Sequence, residues 1–230
     1  MTSADTERTG FLYPFIDAEG HDPESLLADL AKSAQAKAHE SAALQRATLV
    51  ECAELVAAAG AQMAERFASG GRMYAFGNGG SSTDAATFAA LFAQPISGRP
   101  LPAMNLAADQ AVVTALGNDV GFELVFSRQI IAHASSKDMA VAMSTSGSSA
   151  DLMMALGEAS RRGLMTIGFA GYDGGQMATS SEVGYCFVVR SQSIHRIQES
   201  QALLGYQLWA TVQQHLMPGD AARHRRGDPT

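Results

Sequence analysis

The chain has only two cysteines, Cys52 and Cys186, in 230 residues. Two thiolates cannot build a structural zinc centre by themselves. With no targeting signal in view, both are expected as small buried apolar residues in a reducing cytoplasm. No apolar run reaches the ~18 residues of a membrane-spanning helix. The stretch from Met1 to Gly10 is polar and has no apolar segment behind a basic start, so no secretory leader and no membrane association are expected. Positive charge is also short: 16 Lys and Arg face 23 Asp and Glu, a net charge of −7. Direct nucleic-acid binding through a broad basic surface is therefore disfavoured. What remains, 47% apolar and 17% charged, suits a compact globule.

Residues 1–21 read as a polar arm interrupted by one apolar patch, Phe11-Leu12-Tyr13-Pro14-Phe15, and residues 218–230 as a flexible tail with three Arg close together. Between them, 22–217 reads as a single domain. Asp22-Pro23 is a helix-start signal, an N-cap followed by proline. Ala-rich sequence then runs to Ser69. Leu26, Leu27 and Leu30 share one early face, and Leu49, Ala53, Val56, Ala57, Met63, Ala64 and Phe67 recur later at helical spacing. The pattern predicts two long helices with a boundary near 40–47, stopped by Gly70-Gly71. Beyond this extension, short apolar runs at 72–76, 102–106, 139–143, 165–169 and 185–189 alternate with helical patterns at 82–92, 109–116, 122–134, 149–162 and 194–216. Buried strands separated by helices imply βαβ units and a parallel sheet covered on both faces.

Ligands of such sheets bind outside the carboxyl ends of the strands. Two loops placed there are rich in small polar residues: Gly77-Asn78-Gly79-Gly80-Ser81-Ser82 after the first strand and Ser144-Thr145-Ser146-Gly147-Ser148-Ser149 after the third. Each opens a helix. Helix N-termini present unpaired N–H groups and partial positive charge, glycine lets the backbone approach a ligand, and hydroxyls add donors without bulk. Five hydroxyls in the six residues 144–149 can surround a phosphate. Ser also fills turns and caps for structural reasons alone, but two such junctions together point to a phosphate site. Ser82 stands where a dinucleotide fingerprint needs its third glycine, and no Walker A sequence is present.

These loops give the sequence a family resemblance. FGNGGSSTDAATFAA (76–90), GND and GF within 117–122, STSGSS (144–149), AGYDGG (170–175) and RIQES (196–200) resemble the SIS-domain (sugar isomerase) family. The resemblance is to its branch of phosphoheptose isomerases and the bacterial replication-initiation adaptor. It spans about residues 45–216. It implies a flavodoxin-like three-layer α/β/α sandwich with a five-stranded parallel sheet, assembled as a homotetramer. It also implies that Ser144, Thr145, Ser146 and Ser149 hold a sugar phosphate. Asn78, Gly79, Gly80 and Ser81 line the sugar, and Asn118, Asp119 and Gln198 reach its hydroxyls.

The sequence departs from the enzymes of that branch at one cluster. Zinc-using phosphoheptose isomerases carry a His and a Glu one helical turn apart after the GNGGS loop, then a Gln and a His eight residues apart in the last helix. Here those positions are Thr87, Leu91, Gln198 and Tyr206. No zinc and no other cofactor is therefore expected. Tyr206, with an unperturbed pKa of about 10, is a poor base at neutral pH. His195, three residues before Gln198, and Glu199 are the candidates for relocated acid–base groups. Asp84 is a further carboxylate nearby, with helix capping as its structural alternative. The expected function is a sugar-phosphate sensor or scaffold, with a protein partner possible. The alternatives are an active aldose–ketose phosphosugar isomerase with relocated residues, and a protein-binding adaptor with a vestigial pocket.

Overall fold

In a computed structural model of the chain, residues 23–217 are described. The expected arm and tail lie outside them. The chain divides into two units, Met1–Ala42 and Ala43–Thr230. Helix α1 (Pro23–Glu51) runs from the described end of the first into the second, and α2 (Ala53–Ala68) follows. The break falls at Cys52 rather than near 40–47. Nothing within 40–47 is Gly or Pro, so no residue there stops a helix. At Cys52 the backbone only tightens (φ −92°, ψ 2°), and the bonds from Cys52 N to Thr48 O and from Val56 N to Cys52 O persist.

Strands β1 (Met73–Gly77), β2 (Ala103–Asn105), β3 (Met139–Met143), β4 (Met165–Gly171) and β5 (Tyr185–Val189) form one parallel sheet in the order β2-β1-β3-β4-β5. The intervening helices are α3 (Gly80–Ala93), α4 (Gln110–Asp119), α5 (Val125–His133), α6 (Ala150–Arg161), the short α7 (Gly175–Thr179) and α8 (Ile194–Leu216). The flavodoxin-like architecture is as expected. The helix predicted over 122–134 opens with a separate 3-10 turn, Phe122–Leu124, because Gly121 enters it at φ +103°.

Every residue of β1, β3 and β4 is buried, while the edge strands β2 and β5 are only partly so. Alternation along the strands splits the interior into two cores. Met73, Ala75, Met139, Val141, Met143, Ile167 and Phe169 face α2, α3 and α8. Tyr74, Phe76, Ala140 and Ala142 face α5 and α6. The first core is threaded by aromatic contacts: Phe67–Phe92 at 5.7 Å, Phe92–Phe88 at 5.0 Å, Phe88–Phe169 at 5.7 Å and Phe169–Phe187 at 5.0 Å between ring centroids. Cys52 is buried in the same core. Burial pushes its thiol upward and that of half-buried Cys186 to about 11, so both stay protonated at neutral pH. Among the described residues no helix is long and apolar enough to cross a membrane.

This order has a reversal at β1. The chain leaves β1 outward to β2 and returns on the other side to β3, so the crevice between the loops that follow β1 and β3 stays open. The final residues of these strands, Gly77 and Met143, are register partners. Phe169, fully buried on the next strand, anchors the aromatic chain beneath them. Phe169→Ala should lower unfolding free energy by about 3–5 kcal/mol in denaturant titration.

Candidate functional site

The loop after β1 turns within three residues because glycine permits it. A Cβ on Gly77 would lie 2.6 Å from Ser81 O and 2.7 Å from Met143 O, and Gly79 adopts φ +53° before α3 begins. Asn78 is drawn across the crevice: its Nδ2 donates to both carboxylate oxygens of buried Asp151 on α6, at 3.0 and 2.8 Å. That amide nitrogen thus ties the first loop to the helix carrying the second, and its carbonyl oxygen is what it can offer a ligand. Ser81 is buried.

The loop after β3 is shaped by its own hydroxyls. Ser144 Oγ accepts from Gly147 N at 3.0 Å and lies 3.4 Å from Ser146 Oγ, which accepts from Ser148 N at 3.3 Å. Ser148 Oγ accepts from Gln176 N at 3.1 Å. Gly147, at φ +65°, packs so closely on the 171–175 turn that a Cβ there would meet Gly174 O at 2.2 Å. Ser149 is the N-cap residue of α6, yet its hydroxyl makes no capping bond. Thr145 and Ser149 are half-buried and Ser146 is exposed. The result is a rigid nest of N–H and O–H groups at the start of a 12-residue helix, suited to an anion.

An open groove of about 500 Å³ lies between α3 and α8. Gly80, Thr83 and Asp84 line it from α3; His195, Gln198, Glu199 and Ala202 line it from α8. Both sets follow helical spacing, one face of each helix. The helices approach closely because Gly80 lacks a side chain: a Cβ there would lie 2.6 Å from Gln198 Nε2. Gln198 Nε2 donates to Asp84 Oδ2 at 2.8 Å. Burial pushes the Asp84 carboxyl above its ordinary 3.8, and the bond from Gln198 opposes that rise. Helix α8 is also tied to the loop, since Gln201 Nε2 donates to Ser144 O at 2.8 Å.

The groove therefore gathers Gly80, Gln198, His195 and Glu199 from the sequence-derived set; the 144–149 residues do not line it and are linked to its helix α8 through Gln201. Asn118 and Asp119 are not in it. They stand exposed at the end of α4, Asn118 Nδ2 donating to Asp119 Oδ1 at 2.8 Å, and line neither the groove nor its neighbouring recess. Sequence reasoning missed Thr83, Gln201 and Ala202. The first and last could have been found by projecting the stripes through Gly80–Asp84 and His195–Gln198 one helical turn further.

The three positions that differ from the zinc-using enzymes carry other chemistry here. Thr87 Oγ1 donates to Thr83 O of its own helix at 3.0 Å, Leu91 packs against the core, and Tyr206 rests on Trp209 with ring centroids 5.4 Å apart. None offers an imidazole, thiolate or carboxylate, the donors zinc selects. Among the described residues no three His, Cys, Asp or Glu side chains stand close enough together to hold one metal ion.

Residues 38–171 match the SIS domain. The phosphoheptose isomerase of Solidesulfovibrio magneticus is 39% identical over 179 residues, covering 77% of this chain and 86% of that one. That of Rhodospirillum rubrum is 38% identical over 73% and 89% respectively. The solved phosphoheptose isomerase from Neisseria gonorrhoeae superposes with a TM-score of 0.74 at 32% identity, over 80% of this chain and 99% of that one. The chain belongs to the SIS-domain family, on the side of its phosphoheptose isomerases.

The raised Asp84 carboxyl has a consequence for stability. A group whose folded pKa exceeds its unfolded value stabilises the fold only while protonated, and that contribution is lost as pH rises through the folded pKa. Asp84→Asn keeps an oxygen for Gln198 and never ionises. Its melting temperature should match wild type at pH values below the ordinary carboxylate range and exceed it increasingly as the pH rises above that range, levelling off once Asp84 is fully ionised. Thermal melts of both proteins across these pH values provide the check.

Proposed function

We propose that the chain is a phosphosugar isomerase of the phosphoheptose type, working without zinc. The observation that carries this reading is that three protic side chains, Asp84, His195 and Glu199, line one groove whose helix α8 is hydrogen-bonded to the hydroxyl nest through Gln201 and Ser144. The names of the relatives support the same reading over a binding-only protein. Phosphate held by Ser144, Thr145, Ser146 and Ser149 fixes one end of the substrate. The remainder of an extended sugar then lies along the groove, with Gln198 at its floor.

Aldose–ketose exchange needs two kinds of proton movement. Glu199, as carboxylate, takes a proton from the carbon beside the carbonyl, and the C–H electron pair becomes the double bond of an enediol. His195 gives a proton to the carbonyl oxygen and takes one from the neighbouring hydroxyl. Glu199 then returns its proton to the adjacent carbon. The product is an isomer of the substrate, so nothing is oxidised or reduced overall.

A second reading rests on a specific observation: Thr87, Leu91 and Tyr206 are all occupied structurally and none is a base. A protein that binds a sugar phosphate and transmits its presence to a partner needs only the nest. Homotetramer assembly belongs to the proposal as well. Helix α4 has no buried residue, and Met104, Val112 and Phe122 expose apolar surface around it, which a partner subunit would cover.

Deuterium exchange into sedoheptulose 7-phosphate in heavy water separates the two readings. Exchange is expected, and Glu199→Gln or His195→Gln should abolish it while leaving binding in place. Binding without exchange in the wild type would replace the isomerase with the sensor. Ser149→Ala should weaken sugar-phosphate binding by about tenfold or more. Its stability should change by less than about 0.5 kcal/mol, since the hydroxyl caps nothing. Titration calorimetry and denaturant unfolding read the two effects separately.

A further inference from the structure

Asp151 is only 5% exposed, yet it is a carboxylate in the first turn of the helix whose N-terminus forms the hydroxyl nest. A negative charge there offsets part of the positive potential that this helix end offers an anion. Both of its oxygens accept from Asn78 Nδ2 across the crevice, at 3.0 and 2.8 Å. Asn78 is also held through its main chain. Its carbonyl accepts from Ser82 N at 3.3 Å, and the preceding Gly77 is packed too closely to carry a side chain. An amide side chain has one donating end and one accepting end, whereas a carboxylate only accepts. Asp151 therefore takes the nitrogen and leaves Asn78 Oδ1 for whatever enters the crevice.

We infer that Asp151 is a positioning residue: by holding the Asn78 nitrogen it presents the Asn78 oxygen, so that this side chain takes a sugar hydroxyl and turns phosphate away toward 144–149. This role rests on the phosphosugar reading above. In sequence the two loops are alike, each rich in Gly and Ser and each opening a helix. Nothing in that composition tells a phosphate which one to occupy. The Asn78–Asp151 pair makes them unlike. A hydroxyl donates to a carbonyl oxygen, but a phosphate oxygen facing a carbonyl oxygen, with a carboxylate behind it, is repelled. An extended sugar phosphate has one anionic end and one hydroxyl-bearing end, so the pair sets the direction in which it lies. A buried polar group committed to one partner type also rejects ligands that bring the wrong one. Asn at 151 would lift the constraint, because two facing amides pair either way round.

The test measures sedoheptulose 7-phosphate and inorganic phosphate by calorimetry on wild type, Asp151→Asn, Asn78→Ala and the double variant. Asp151→Asn keeps the size of the side chain and a hydrogen bond to Asn78. Its sugar-phosphate affinity should fall about tenfold, while its inorganic phosphate affinity holds or rises as a negative charge leaves the nest. Asn78→Ala should lower sugar-phosphate affinity by a similar factor. Adding Asp151→Asn to it should change the ratio of the two affinities by less than about threefold, because Asp151 acts through Asn78. Equal falls for both ligands, or a full further loss in the double variant, would overturn the role and leave Asp151 a structural residue. A second readout needs no variant at Asp151. In wild type the Asn78 side-chain N–H signals should be protected from solvent exchange in NMR spectra, with and without the sugar phosphate, and rapid exchange in either state would overturn the role. If wild type binds inorganic phosphate as tightly as the sugar phosphate, the role of Asp151 fails while the phosphate nest stands. If it binds neither, the phosphosugar reading fails and the role of Asp151 with it.

Discussion

The arrangement depends on how closely backbones approach at the carboxyl ends of β1 and β3. Gly77 sits against the carbonyls of Met143 and Ser81, Gly147 against that of Gly174, and Gly171 against that of Thr145, each with no room for a methyl group. Close approach keeps the two loops short and stiff. Stiff loops hold their hydroxyls and N–H groups in place before any ligand arrives, so less ordering is left for binding to accomplish. The same economy continues outward. Gly80 lets Gln198 lie against α3, and Gly205 lets the Phe88 ring lie against α8. Groove and recess are the spaces left between helices that touch at these glycines.

Much of this was legible in the residues. Alternating apolar runs gave all five strands to within two residues at either end, because strands buried on both faces must be apolar throughout. The Gly- and Ser-rich loops marked the crevice because few other residues fit a strand-to-helix turn of that kind. The helix boundary near 40–47 was misplaced because a long Ala-rich run offers no breaker, and the break at Cys52 is a local tightening that leaves no compositional trace. Asn118 and Asp119 were assigned through the resemblance alone; they form the last residues of α4 and line neither the groove nor the recess. The partner of Asn78 was equally invisible. Asp151 reads as an ordinary first-turn carboxylate until the two helices are seen side by side.

On the proposed reading, the scaffold keeps its binding chemistry while its acid–base chemistry is redrawn. The 144–149 loop is built from its own hydroxyls and from close backbone approach at Gly147, so it tolerates little change. The faces of α3 and α8 are built from side chains on continuous helices, which can be exchanged without moving the backbone except at Gly80 and Gly205, where the helices touch. Thr87, Leu91 and Tyr206 each find structural employment where they stand. His195, Gln198 and Glu199, on the adjoining stripe, provide an alternative set of protic groups.

Gln201 joins the 144–149 loop to the recess between α3 and α8 through a single planar amide. Its nitrogen holds the carbonyl of Ser144, and its oxygen faces the recess on the opposite side of the same rigid group. Neither atom can shift without carrying the other. Whatever shifts Ser144 also sets the tilt of that oxygen, and whatever fills the recess pulls on the 144–149 loop. Changes at the two places are then energetically coupled, and their separate effects do not add up to the effect of both together.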